Sequence, residues 1–145
     1  MLLIDADIEL FLCGEIRDKI AALAGTDFPA SVGWVSNKEW VPTAGDSTPP
    51  LWQVIVRDDG VSDVDLTVGE AQIGVNALAG SLDDVEPVKK LARIVKAIIK
   101  DCARVEPGNP VGAVLEFNGP YPIIEPSSFA RQYMTAQLSV VSIPL

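Results

Sequence analysis

The chain has 145 residues, of which 48% are apolar, with a mean hydropathy of +0.28 and a net charge of −9. This is too apolar for a disordered protein, and the length suits one core in one domain spanning 1–145. No apolar run approaches the roughly 18 to 20 residues of a membrane span, and so acidic a chain lacks the basic face that DNA phosphates require.

Ile4, Ile8, Phe11, Leu12, Ile16, Ile20 and Leu23 recur at steps of three and four, so the first two dozen residues are expected to form an amphipathic helix. Asp5 or Asp7 caps it, because free N–H groups and the positive dipole end both favour a carboxylate there; Gly25 closes it. Gly14 lies inside the pattern, where either a close-packed backbone or a bend would explain it. Met1 to Ile4 runs straight into Asp5, Asp7 and Glu9 with no basic segment, so no secretory signal is expected and the chain is placed in the cytoplasm of the cell that makes it.

Ser31 to Val35 is expected to be a short strand. Residues 36–50 then carry three prolines and no sustained period, which makes a long loop. Loops of that length are usually functional or mobile, so Lys38 and Trp40 are candidates for contacting a partner. The alternative is a solvated linker, with Trp40 anchoring it on its own domain.

Leu51 to Arg57 is β-branched and aromatic, and Asp58-Asp59-Gly60 supplies the turn of a hairpin. In the following strand Val64, Leu66 and Val68 alternate in one phase and Ala71, Ile73, Val75 and Ala77 in the other. Gly69 sits at the switch, so either a bulge forms there or two short strands meet.

A second helix starts at Asp83 or Asp84. Val88, Leu91, Ala92, Val95, Ile98, Ile99 and Cys102 form its apolar stripe, while Lys89, Arg93, Lys96 and Lys100 form a basic one. The basic stripe is either a solvated face or a surface that meets carboxylates of a neighbouring subunit. Pro107 to Pro110 ends the helical region, Val111 to Phe117 is a strand, and Asn118 to Pro122 is a turn. Tyr133 to Ile143 is the last strand, with Met134, Ala136, Leu138 and Val140 on one face. The expected fold is α+β: a small mixed or antiparallel sheet of about four to five strands with two main helices packed on one face.

The chain contains no histidine, which removes Ser-His-Asp and Cys-His catalysis and histidine-containing zinc sites. Cys13 and Cys102 are expected to be buried free thiols. A phosphate cradle needs tightly spaced glycines, and the turn before the second helix offers only Gly80. Asp58 with Asp59, and Asp83 with Asp84, are pairs able in principle to hold Mg²⁺, but each stands where turns and caps place aspartates. Ser127 and Ser128 lack a base. No catalytic residue, cofactor or metal is expected; a small metal-dependent enzyme using those carboxylates is the alternative from another class.

Gln72 to Ala79, the acidic segment after it, Leu91 to Ile98, Asn118-Gly119-Pro120-Tyr121 and Tyr133 to Val140 together resemble the tail terminator, or tail completion, proteins of long-tailed bacteriophages, particularly those of actinobacteria. The resemblance is densest from Val68 to Val140. It implies a non-enzymatic virion protein of the tail and neck, forming a six-fold ring on the tail tube. Such a ring stops tube polymerisation, meets the head-side connector, and lets DNA pass without specific binding. A head-closure or adaptor protein of the neck is the runner-up. The resemblance carries over no functional residue, so Lys38, Trp40, Lys89, Arg93, Lys96 and Lys100 are interface candidates on local physical grounds.

Overall fold

A computed structural model describes residues 1–23, 33–124 and 129–145. The elements run β1 (Leu3–Ile4), α1 (Ile8–Ala22), β2 (Gly33–Ser36), β3 (Trp52–Asp63), β4 (Val68–Ala79), α2 (Glu86–Lys100), β5 (Val111–Ile123), β6 (Ala130–Val141) and β7 (Ile143–Pro144). Five strands form one sheet in the order β2-β3-β4-β6-β5, in which β2 and β3 are parallel and the other neighbours antiparallel. Strands β1 and β7 pair separately. The fold is a small α+β domain: a five-stranded mixed sheet with two helices packed against it, as expected.

Period and pleat explain the core. Along α1 the buried residues are Ile8, Leu12, Cys13, Ile16 and Ile20; along α2 they are Val88, Leu91, Ala92, Val95 and Ile99. Both stripes join one cluster with alternate residues of the sheet, among them Val54, Val56, Ile73, Val75, Met134 and Leu138. A single cluster requires that both helices cover the same sheet face. Arg104 locks them there, its guanidinium 2.7 Å from Glu15 of α1 and 3.2 Å from Glu106.

Several boundaries differ from the expectations. Asp7 caps α1 by accepting from the Leu10 amide at 2.9 Å, but Ile4 belongs to β1. Gly25, Ser31, Ser127 and Ser128 lie outside the described residues. A side chain at Gly14 would meet nothing within 4 Å, so close backbone approach does not account for it. Asp58-Asp59-Gly60 does not turn the chain: β3 continues through it as a bulge, with Gly60 at φ +124° and its amide donating to Asp58 Oδ1 at 2.8 Å. The turn falls later, at residues 64–67. Strand β4 therefore keeps one register with β6 throughout, and Gly69 makes room for Val61, whose Cγ1 would lie 2.6 Å from an added Cβ.

Neither Asp83 nor Asp84 caps α2. Val85 occupies that position without a side-chain bond, because Asp84 is used in a tight turn where its amide meets Ser81. Asn118 to Pro122 is likewise no turn but part of β5, a strand bent by three register shifts. Strand β6 ends at Val141 rather than Ile143, which pairs instead with Ile4 in the β1–β7 ribbon.

The second sheet face carries a different cover. Trp34, Gln53, Leu78, Arg131 and Ile123 stand in one row across the five strands. On either side of Leu78 the segment after β2 is tied down: the Trp40 amide donates to Gln53 Oε1 at 3.0 Å, and Glu39 pairs with Arg131. The segment thus crosses over Leu78, which is only 1% exposed although no helix covers it.

Candidate interaction groove

A large open concavity runs beside α2, at the sheet end where β3 begins and β4 and β6 meet. Its volume is about 1380 Å³. Small-molecule pockets span roughly 300–1,000 Å³, and this open groove exceeds that range, leaving room for a peptide segment. Glu86, Lys89, Lys90, Arg93, Ile94 and Ala97 form one wall, residues that helical spacing brings to a single face. Pro49, Pro50, Leu51 and Trp52 form the opposite wall; Pro87, Pro120 and Phe129 close the ends. Gly80 stands at φ +63°, and a Cβ there would come within 2.5 Å of the Asp84 carbonyl, so the turn that shapes this corner needs glycine.

The lining is mainly apolar, and its charged residues are three cations, Lys89, Lys90 and Arg93, against two carboxylates, Asp84 and Glu86. Lys89 reaches Glu86 at 3.4 Å with both side chains exposed, a contact worth little in water. Arg93 is exposed and makes no ion pair among the described residues. The groove holds no arrangement of nucleophile and base.

The six candidate residues separate into three places. Lys89 and Arg93 line the groove. Lys96 turns the other way: its ammonium donates to the Gly119 carbonyl at 3.1 Å and sits 5.2 Å from the Phe117 ring, binding α2 to β5. That contact uses it within the subunit, apart from Lys89 and Arg93. Lys100 is exposed beyond the groove. Lys38 is exposed on the loop, its carbonyl accepting from the Trp34 indole at 2.7 Å. Trp40 is half-buried on the second sheet face. Its backbone is tied to its own domain through the bond from its amide to Gln53.

No protein-family model and no curated protein matches the chain.

Asp58 holds the β3 bulge through the Gly60 amide, Asp59 lies 3.9 Å from the Arg57 guanidinium, and Asp84 is held in its turn by its backbone amide and carbonyl. Among the described residues no group of three or more acidic, Cys or His side chains can hold a metal. Likewise, no helix among them is long and apolar enough to cross a membrane. Both thiols are free and buried, as expected. Burial pushes Cys102 up to about 11, with Glu15 adding to the rise, and burial also raises Cys13. Thiols so protonated are poor nucleophiles.

The sequence concealed Lys90, Ile94 and the Pro49-Pro50-Leu51 wall as groove residues. Two adjacent prolines before a buried tryptophan were the available signal, since they stiffen a wall without taking part in the sheet.

Proposed function

We propose that the chain is a structural subunit of a phage neck, of the tail-terminator type. It forms a ring of identical copies on the end of the tail tube, ends tube growth and joins the tube to the head-side connector. DNA passes through that ring without specific binding.

 The reading is supported by the residues of the resemblance and by an α+β fold with both helices on one face. It is carried by one observation: the open groove beside α2 is mainly apolar, with Lys89, Lys90 and Arg93 along its helical wall, and offers room for a segment of another protein.

The test is a virus lacking this gene. Tails of uncontrolled length, and heads that fail to join them, are expected in electron micrographs, with normal length restored by supplying the chain. Tails of ordinary length without the gene would overturn the reading.

A further inference from the structure

At the sheet end opposite the groove, β3 and β4 project as a hairpin whose tip is Val64 to Thr67. The tip is locked. Asp65 Oδ1 accepts from the Thr67 amide at 2.7 Å, the Val68 amide at 2.9 Å and the Thr67 hydroxyl at 3.1 Å. The Val64 amide meets the Val68 carbonyl at 2.9 Å, and the Ser142 amide braces the turn from outside through the Thr67 carbonyl at 2.9 Å. On this fixed turn Leu66 is 88% exposed and Val64 62% exposed. An ordered loop that holds a leucine in water has already lost the conformational freedom that binding would otherwise cost.

Charge completes the match. No lysine or arginine occurs between Arg57 and Lys89, while Asp63 and Asp65 flank the exposed leucine and valine. The tip is thus an apolar knob edged with carboxylates, and the groove an apolar trough where Lys89, Lys90 and Arg93 outnumber Asp84 and Glu86, and Glu86 is already paired with Lys89. The two cannot meet within one subunit: β3 alone, from Trp52 to Asp63, separates them by roughly 35 Å at the usual strand rise.

We propose that the β3–β4 tip of one copy seats in the α2 groove of a second copy, with Leu66 on the floor near Ile94 and Ala97 and with Asp63 facing Arg93. This deepens the assembly half of the function proposed above and rests on that half alone. The contact is head-to-tail, so each copy uses one knob and one trough. Repetition closes a ring if the rotation between copies closes, and otherwise extends a filament. Leu66 is the apolar anchor, and the ionic rim sets orientation and weakens with salt.

Sedimentation of the purified chain over rising concentration, at low and high salt, tests the contact without any tail tube. Wild type is expected to associate, more strongly at low salt. Leu66→Asp and Arg93→Glu are each expected to weaken association at least tenfold with unchanged circular dichroism, since both side chains are exposed. An equimolar mixture of the two variants decides the geometry: one intact knob and one intact trough remain, so heterodimers form and nothing larger. A second arm pairs Leu66→Cys with Ala97→Cys in one chain. Mild oxidation is expected to give a ladder of linked subunits, absent from either single variant, while Cys13 and Cys102 stay buried. Wild type that remains monomeric throughout, variants that associate like wild type, or a mixture that stays monomeric or grows beyond dimers would each overturn the proposal. Failure here with loss of tail-length control in the gene deletion would sink the contact and leave the function standing; the reverse pattern would do the opposite.

Discussion

The two faces of the five-stranded sheet bury leucines by different means. Leu138 lies on the helix-covered face in a cluster of aliphatic side chains and is 0% exposed. Leu78, at 1%, lies under a loop held by one amide bond to Gln53 and one ion pair to Arg131. Equal burial therefore conceals unequal support: removing apolar volume should hurt the first face, and removing polar ties the second.

The largest effect is expected from Leu138→Ala, about 2–5 kcal/mol of stability lost in urea unfolding, because helices and sheet close only partly around the vacated space. Deleting 38–46 removes both ties over Leu78 and should cost about 1.5–3 kcal/mol, the value of leaving one such side chain in water. Native circular dichroism with no fall in the urea midpoint would show that the loop does not cover this face. Arg131→Met keeps the packing stem and loses the Glu39 pair; about 1 kcal/mol is expected because Glu39 is half exposed. Amide exchange at Trp40 should then quicken while exchange in α2 stays slow.

A further effect appears only at alkaline pH. Cys102 holds its proton up to about 11 in the folded state against 9.0 when unfolded. A folded pKa above the unfolded one means stability is fully present below pH 9 and declines as pH rises toward 11. Cys102→Ala should flatten that decline in thermal unfolding between pH 8 and 11, at the price of a small cavity.

Regular periodicity was the readable part of this sequence. The α2 stripe and the alternation of Met134, Ala136, Leu138 and Val140 persist in the structure because each side chain contributes independently to burial. Local turn chemistry misled. Asp58-Asp59-Gly60 has the composition of a hairpin turn, yet pairing with β4 continues past it and absorbs the extra residue as a bulge. Asp84 has the composition of a helix cap, yet Ser81 engages its amide first. In both cases a residue able to play two local roles was assigned by tertiary contacts that no short window contains. The groove was half legible: helical spacing marked Lys89 and Arg93, but its other wall comes from residues about forty positions earlier, and Lys96, in the same stripe, faces β5.

Strand β5 forms one border of the sheet, and Pro120 and Pro122 lie within it. Neither proline has an amide hydrogen, and the three register shifts kink the border further. A foreign strand laid along it would find missing donors and a crooked template. Copies crowded together during synthesis are thereby discouraged from fusing backbone to backbone, which leaves side-chain recognition as the route by which they can meet.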